Sequence, residues 1–360
     1  MKKGTIISKK GIRMNKELSI IIPVYNTPLN LLDRTLKSID SDLVDIIIIN
    51  DGSNHETSEY VERFSNPRSN VKLVNQSNQG AAMARKNGLD YLSTKYFTFV
   101  DCDDVSHVDK LLKLLNKMKE FDSKIGNGRV KCYLPGFLIG FNSKKWNLEH
   151  IDFTADKSLL GNVTCTFWDK IYHEDLAPII QIPSTHTQYH DMEVVYPTLI
   201  KAGSMVHTND IIYDYKMRAN SSSHQELSPE SSLSIRKILE SYNLMVEILK
   251  ENDIYYDYKN EIDSIIVKLL YQRMRRMINN KNIKNKVEMA SLYLKMIECI
   301  VPGYTNNIYY KDDFKDSELN DRLSFIQCSM FIKNHGLRNT YNNETIEELL
   351  KQYDDIIVLK

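Results

Sequence analysis

The feature that most constrains the fold is a series of short, mainly apolar runs separated by segments with helical periodicity. Three such runs are Leu18–Val24, Asp45–Ile49 and Tyr96–Val100. An apolar run of this length predicts a strand buried on both faces, as in a parallel sheet covered by helices. Helical spacing over 29–39 joins the first two runs, which makes a βαβ unit. We therefore predict an α/β fold with a mostly parallel sheet flanked by helices.

The alternation of strands and helices continues to about residue 215. The predicted further elements are helix 56–64, strand 71–74, helix 80–92, helix 108–121, strand 130–141, helix 190–201 and strand 211–215. A link that contains Gly126 and Gly128 precedes the strand at 130–141. Region 153–188 has weak periodicity, and we predict only loops and short helices there.

The chain divides into three parts by the character of its sequence. Residues 1–15 are polar and basic, which predicts a flexible leader. The α/β pattern occupies 16–224, and a polar stretch at 218–224 is the best linker candidate. From 225 to 360 long apolar repeats at helical spacing predict a small helical bundle.

Composition excludes several classes of protein. Among 360 residues, 47 Lys and Arg balance 47 Asp and Glu, so no overall field favours nucleic acid, and we expect no nucleic-acid partner. The longest apolar runs are far shorter than the ~20 residues of a membrane span. Five dispersed cysteines without a Cys-x-x-Cys pair favour free thiols in a reducing compartment, hence a cytoplasmic protein. These are Cys102, Cys132, Cys165, Cys299 and Cys328.

An acidic cluster follows the strand at Tyr96–Val100 directly. Asp101, Asp103 and Asp104 fall within four positions, and in an extended chain Asp101 and Asp103 share a face. Two carboxylates about 5 Å apart repel by roughly 3 kcal/mol at an effective dielectric near 20. A divalent cation would remove that cost, and oxygen ligands favour Mg²⁺ or Mn²⁺. The alternative is a solvated strand end that caps the next helix through Asp104 or Ser106.

The polar residues at the strand ends are expected to form one site. Parallel α/β sheets bind ligands beyond the carboxyl ends of their strands. Residues 23–25, 50–52 and 101–104 all follow strands of the predicted sheet. We therefore expect them to lie close together.

Five pieces of the sequence, in order and spacing, resemble the catalytic domain of family 2 glycosyltransferases. They are Ser19–Asn26, Ile48–Ser53, Asn78–Gly80 with Ala84–Gly88, Phe99–Asp104, and the later Asp191. The resemblance covers residues 18 to about 224. It implies a GT-A fold, Rossmann-like in its sheet, which here precedes an α-helical C-terminal domain.

The resemblance implies that Pro23, Tyr25 and Asp51 bind the uracil of a UDP-sugar, with Tyr25 stacking on the base. The alternative is that Tyr25 and Asp51 only complete the turns from strand to helix, with Asp51 as a helix N-cap. Asn50 stands where the family usually has another Asp, which could alter base preference.

By the same resemblance, Arg85 lies near the donor diphosphate or sugar, where a guanidinium can donate hydrogen bonds to oxyanions. The alternative is that Arg85 is an exposed residue on a helix. Asp103 is then the direct ligand of Mn²⁺ or Mg²⁺. Asp101 lies by the ribose and nucleotide, and Asp104 supports the metal or orients a water.

The resemblance makes Asp191 the general base for the acceptor hydroxyl. The family commonly has Glu-Asp at this position, and His190 replaces the Glu here. Two alternatives remain: Asp191 as a charge at a helix N-terminus, and Glu193 as the base. In some metal-dependent relatives a His near the position of His224 completes the metal shell; His207 is a weaker candidate, and a loop His is commonly just exposed.

The expected activity is an inverting, metal-dependent transfer of a hexose or N-acetylhexosamine from UDP. The expected acceptor is a hydroxyl of a glycan, polyol-phosphate polymer or glycoprotein, with one sugar per encounter because the family's Gln-x-x-Arg-Trp mark of processive enzymes is absent. A catalytically inactive nucleotide-sugar-binding or partner-binding member is the alternative.

The C-terminal region carries a basic segment at Lys268–Lys286. It could hold an anionic acceptor or contact the inner face of a membrane, or it could be a solvated face. The C-terminal helices could also form a homo-oligomer.

Overall fold

The structure is a computed structural model of the chain. It describes residues 16–133, 147–180, 190–216, 232–281, 283–311, 319–338 and 344–358.

The first half of the sheet follows the predicted βαβ alternation. Its elements are β1 (Leu18–Val24), α1 (Leu29–Ile39), β2 (Asp45–Asp51), α2 (His55–Ser65), β3 (Val71–Gln76), α3 (Gly80–Leu89) and β4 (Tyr96–Phe99). β1 is parallel to both β2 and β4, and β2 is parallel to β3. Every residue of β1 is buried, because helices cover both faces of the sheet.

The second half of the sheet is mixed. It contains β5 (Val105–Ser106), α4 (Val108–Glu120), β6 (Ile125–Tyr133), β7 (His150–Asp152), β8 (Lys170–His173), α5 (His190–Ala202) and β9 (Ser204–Lys216). The strand order is β3-β2-β1-β4-β8-β6-β9-β5, with β7 paired to β9. β8 runs antiparallel between β4 and β6, whereas β6 and β9 are parallel. The α/β class with flanking helices is thus confirmed, and antiparallel pairing begins at β8.

Two local predictions were wrong. Gly126 and Gly128 lie within β6 and not in a link before it. A Cβ on Gly126 would lie 2.5 Å from the sulfur of Met118 on α4, so close helix packing excludes a side chain there. The interpretation of 153–188 as loops and short helices missed β8, which lies in the middle of the sheet.

The C-terminal region is helical, as predicted. Its helices are α6 (Ser232–Glu251), α7 (Lys259–Asn279), α8 (Lys286–Ile300), α9 (Ile308–Lys311), α10 (Leu319–Asn334) and α11 (Ile346–Val358). α6 packs against α5, and α7 packs against the 3₁₀ helix at Lys157–Asn162. One hydrophobic cluster therefore runs from Phe97 and Phe99 in the sheet through α5 to Ile238 and Ile262. Within the described ranges, no helix is both long enough and apolar enough to cross a membrane.

Candidate active site

The ends of β1 and β2 are joined by a small hydrogen-bonded turn. Asn26 has a positive φ of 46°, a conformation that Asn tolerates better than most residues. Its side-chain oxygen accepts from the backbone N–H of Asn54 at 2.7 Å, and its own N–H donates to the hydroxyl of Ser53 at 3.2 Å. This turn leaves Tyr25 at the rim with a 50% exposed side chain, while Pro23 is buried beneath it. The exposed ring is thus available for stacking, the role predicted from the sequence.

Asp51, at the end of β2, organises the loop between β3 and α3. Its carboxylate accepts from the side-chain amide of Gln76 at 2.7 Å and from the backbone N–H groups of Gln79 and Gly80 at 2.8 and 2.9 Å. A carboxylate at the N-terminus of α3 is favourable because unpaired N–H groups point toward it. Asp51 is therefore buried and bonded to the chain. It does not cap α2, whose N-cap is Asn54.

Asn50, the departure from the family pattern, faces away from Asp51 along the strand. Its amide donates to Ser58 at 3.1 Å and to Asn75 at 2.9 Å, and its oxygen accepts from the N–H of Ser53 at 3.2 Å. All of these contacts tie β2 to neighbouring elements, so Asn50 has a structural explanation.

Asp104 lies behind the acidic loop. Its side chain is 1% exposed. One carboxylate oxygen accepts from the Tyr213 hydroxyl at 3.0 Å and the other from the N–H of Lys216 at 2.9 Å. Burial, then the charge of Asp101, raises the pKa of Asp104 to about 7. The next helix starts at Val108 with neither Asp104 nor Ser106 as its N-cap, so the capping alternative was wrong.

Asp101 and Arg85 form an ion pair at the end of β4. The Arg85 guanidinium donates to Asp101 Oδ1 at 2.6 Å and lies over the Phe167 ring, 5.6 Å from its centroid. Arg85 is buried, so the alternative of an exposed helix Arg was wrong. Although burial opposes it, the charges of Asp101 and Asp191 raise the pKa of Arg85. Arg85 therefore keeps its charge at any working pH.

Asp103 is partly exposed, as is Asp101. The backbone beneath it is held by Arg34, which donates to the Asp103 carbonyl at 2.6 Å. Hydroxyl groups also secure the loop: Thr35 donates to the Asp104 carbonyl at 2.7 Å. The backbone of the loop is thus held in place from α1.

The donor set of this loop fits a hard divalent cation. Within the described ranges, no three His, Cys, Asp or Glu side chains converge into a complete metal cage. Mg²⁺ and similar ions are commonly bound by one or two carboxylates plus substrate phosphates, which is the set that Asp101 and Asp103 can offer.

Asp191 lies in the first turn of α5, on the side that faces Arg85. Burial raises the pKa of Asp191 to about 7, Arg85 opposes the shift and Asp101 adds to it. The charges of Arg85 on α3, Asp101 after β4 and Asp191 on α5 act on one another, so these three side chains lie near each other. A carboxyl with a pKa near neutrality in such a place is suited to proton transfer.

Glu193, the alternative base, points elsewhere. It is 0% exposed and faces Ser241 on α6. Burial raises the pKa of Glu193 to about 7, with a smaller lowering by Ser241. The two acids of this helix turn therefore have similar affinities for protons and lie on opposite sides of α5.

Of the two histidines proposed as metal ligands, the structure describes only His207. His224 lies outside the described residues, so its predicted role as a metal ligand stays a prediction. His207 is buried in β9, with Nδ1 2.9 Å from the Asn127 oxygen in β6. Burial lowers the pKa of His207 to about 4. The side chain of His190 is also outside the described set.

A buried ion pair holds the loop that leads to Phe167, the residue beneath Arg85. Lys170 and Asp169 are both fully buried, with 2.6 Å between Nζ and Oδ1. Lys170 also donates to the carbonyls of Thr164 and Thr166 at 2.7 and 2.9 Å, which shapes the loop before Phe167. Asn127 donates to the second oxygen of Asp169 at 3.1 Å. The pair therefore ties β6, β8 and the 164–167 loop together.

We expect Lys170→Met to lower the free energy of unfolding by about 3 to 5 kcal/mol, because it leaves the Asp169 carboxylate buried without its cation. Chemical denaturation followed by circular dichroism measures this. Lys124→Met, which breaks an exposed pair with Asp175, is the matched control and should change stability by less than about 1 kcal/mol. Similar losses for the two variants would contradict this interpretation.

Sequence reasoning missed three residues that hold the acidic loop: Tyr213, Arg34 and Thr35. The Tyr213 hydroxyl accepts from the N–H of Asp101 at 3.1 Å while it donates to Asp104. Its ring stacks on Trp168, with centroids 4.5 Å apart. The contacts of Tyr213 with Asp101 and Asp104 join residues more than one hundred positions apart, and those of Arg34 and Thr35 join residues 69 positions apart, so no local motif could have indicated them.

Comparisons with known proteins agree with this geometry. Residues 19–170 match the model of glycosyl transferase family 2. The chain is 27% identical over 275 residues to the cholesterol galactosyltransferase of Borreliella burgdorferi, which covers 71% of this chain and 74% of that protein. It is 33% identical over 123 residues to the glycosyltransferase GlyA of Streptococcus pneumoniae, which covers 33% of this chain and only 18% of GlyA.

Among solved structures, the chain is similar to residues 1–349 of S. aureus TarS in complex with UDP. The TM-score is 0.61 at 16% identity, over 91% of this chain and 94% of that one. A second TarS structure, with UDP-GlcNAc, gives a TM-score of 0.51 at 18% identity over the same shares. At these identities the likeness concerns the fold.

The fold and the strand-end site define an enzyme of the GT-A class, a glycosyltransferase. Residues 19–170 form a glycosyl transferase family 2 domain, which confirms the resemblance of this part of the sequence to that family.

Proposed function

We propose that this protein is an inverting, metal-dependent glycosyltransferase that moves a hexose or N-acetylhexosamine from a UDP-sugar to an acceptor hydroxyl. The observation that carries the proposal is the ion pair of Arg85 and Asp101 at 2.6 Å, whose charges both act on Asp191, a carboxyl with a pKa of about 7. The resemblance of the strand-end residues to the family, and the UDP and UDP-GlcNAc bound by TarS, support the choice of donor.

The nucleotide end of the donor would bind at β1 and β2. The exposed ring of Tyr25 would stack on uracil, with Pro23 beneath it. Asp51 has one carboxylate oxygen that already accepts from Gly80 alone and can accept another hydrogen bond, from the base N3. The carboxylate that orders the loop would thus also contact the base.

The diphosphate end would bind beside the acidic loop. Asp103, with Asp101, would hold Mn²⁺ or Mg²⁺, and Asp104 would keep the loop in shape from behind. The bound ion would supply Lewis-acid neutralisation of the departing UDP. Arg85 would add a fixed positive charge next to the same phosphates.

Asp191 would remove the proton from the acceptor hydroxyl. The acceptor oxygen then forms a bond to C1 of the sugar as the bond between C1 and the diphosphate oxygen breaks, and UDP leaves with the electron pair. One displacement inverts the configuration at C1. A base of pKa near 7 is well matched to this task at neutral pH.

Several kinds of acceptor hydroxyl fit the proposed reaction. A glycan, polyol-phosphate polymer or glycoprotein hydroxyl fits the family analogy. The similarity to a cholesterol galactosyltransferase adds a membrane lipid to the acceptors worth testing.

The decisive experiment is a donor-hydrolysis screen over UDP-glucose, UDP-galactose and their N-acetyl forms, with and without Mn²⁺. We expect one or two donors to be hydrolysed only with metal, and Asp103→Asn to raise the metal concentration needed about tenfold or more, because it removes a ligand charge. Asp109→Asn, an exposed carboxylate on α4, is the control. Normal turnover by Asp103→Asn without metal would overturn the metal role.

The same screen separates catalysis from the alternative, a binding protein without activity. Calorimetry that detects UDP binding, together with no hydrolysis and no transfer to any offered acceptor, would favour the alternative.

A further inference from the structure

We propose that the face formed by the C-terminal end of α7 and by α10 docks the protein on an anionic lipid surface. This face belongs to the C-terminal helices and contains none of the strand-end residues, and the inference is independent of which sugar is transferred. Two features of the face, a basic pocket and an apolar stripe next to it, carry the proposal.

The first feature is a pocket of about 410 Å³ between α7 and α10. Its walls combine two guanidinium groups with amide and hydroxyl groups, supplied by Gln272, Arg275, Arg276, Asn279, Asn280 and Ser324. Arg275 is held in place by Gln327, which accepts from Nε at 2.8 Å. Burial of its stem, then the like charge of Arg275, lowers the pKa of Arg276. An anion in the pocket would relieve this repulsion.

The second feature is an apolar stripe along α10. Leu323, Ile326 and Met330 are 37%, 48% and 59% exposed. Their spacing of three and four residues puts them on one side of the helix. Gln327, four residues after Leu323, is also bonded to Arg275, so the stripe borders the pocket directly.

The combination favours a lipid surface over a soluble polyanion. Phosphate headgroups would meet the arginines, while Ile326 and Met330 would enter the headgroup boundary, where apolar side chains gain burial. A polyol-phosphate polymer would satisfy the arginines and leave the stripe in water. Lys281 and Lys284, both exposed just after α7, add positive charge at the same end of the helix.

The position of the face suits such a role. The N-terminal end of α7 is anchored to the catalytic part of the chain: the Tyr258 hydroxyl donates to the Phe153 carbonyl at 3.4 Å, and Lys157 donates to the Asp257 carbonyl at 2.6 Å. The 21 residues of α7 then span about 30 Å to the pocket. Docking would therefore hold the catalytic part at a set distance from the bilayer.

Vesicle flotation with the full chain tests the proposal. Vesicles of phosphatidylcholine alone are compared with vesicles that contain phosphatidylcholine and phosphatidylglycerol in a two-to-one ratio. We expect binding to the anionic vesicles only, weakened by high salt. The double variant Arg275→Gln/Arg276→Gln should reduce partitioning about thirty-fold, and Ile326→Ser/Met330→Ser about tenfold.

Matched controls are Arg63→Gln, an exposed arginine on α2, and Tyr256→Ser, an 80% exposed aromatic residue before α7; both should bind as the wild type does. Donor hydrolysis should be unchanged in all four variants, which separates this proposal from the catalytic one. No binding to anionic vesicles would overturn it. Binding to polyglycerol phosphate that depends on the arginines but not on Ile326 and Met330 would also overturn it, in favour of a polymer site.

Discussion

The variant Asp191→Asn is expected to lose about 10³-fold in kcat for sugar transfer while it still binds UDP. The amide keeps the shape of the side chain but cannot accept the acceptor's proton, and general-base catalysis contributes 10² to 10⁴ in rate. The fold should tolerate the change, because burial already favours the neutral form of Asp191. Transfer rates, with calorimetry of UDP binding, measure the effect.

The pH profile adds a second readout for Asp191. The wild-type rate should rise through a pH of about 7 as the carboxyl loses its proton, and this limb should be absent from any residual activity of Asp191→Asn. Glu193→Gln is the matched control, since it removes the other raised-pKa acid of the same helix turn, which faces Ser241 on α6. If Glu193→Gln lost as much activity as Asp191→Asn, the assignment of the base would be overturned.

The variant Glu193→Gln should instead change how stability depends on pH. The pKa of Glu193 is raised to about 7 in the folded protein, against 4.5 when unfolded. The folded state therefore keeps a proton that the unfolded state releases. Stability from this group is fully present below pH 4.5 and is lost as pH rises through 7. We expect the wild type to lose about 2 to 3 kcal/mol from this group between pH 5 and 8, and Glu193→Gln to avoid that loss.

Urea denaturation at both pH values measures this difference. Glu247→Gln, an exposed carboxylate on the facing helix α6, should retain the wild-type dependence. The same pH dependence in Glu193→Gln and in the wild type would contradict the proposed ionisation of Glu193 at the α5–α6 contact.

The site could be located from the sequence because parallel strands fix where their ends meet. β1, β2 and β4 bring Tyr25, Asp51 and Asp101 to one edge, as their positions after apolar runs predict. The burial of β1 and β2 on both faces is also explicit in the sequence, as continuous apolar runs. What each side chain does there depends on partners that no motif names, such as the loop amides on Asp51 and Tyr213 on Asp104.

The missed elements have physical reasons. β8 is only four residues long and begins with a lysine, which is unusual inside a sheet; only the pairing with Asp169 makes its burial acceptable. Gly126 and Gly128 normally indicate a turn. Here they are required by Met118 and Ile212, which approach β6 from distant parts of the chain.

Because α5 has one face at the site and one face in the core, the enzyme is not easily cut into fragments or recombined with its relatives. Asp191 is close to Arg85 and Asp101, while Glu193 and the apolar residues of the helix are covered by α6 within one continuous core. A catalytic fragment cut after β9 would expose that core, so we expect it to aggregate and not to fold as a module. Chimeras between relatives should succeed only when α5 and α6 are inherited together, and the chain should melt in a single cooperative transition.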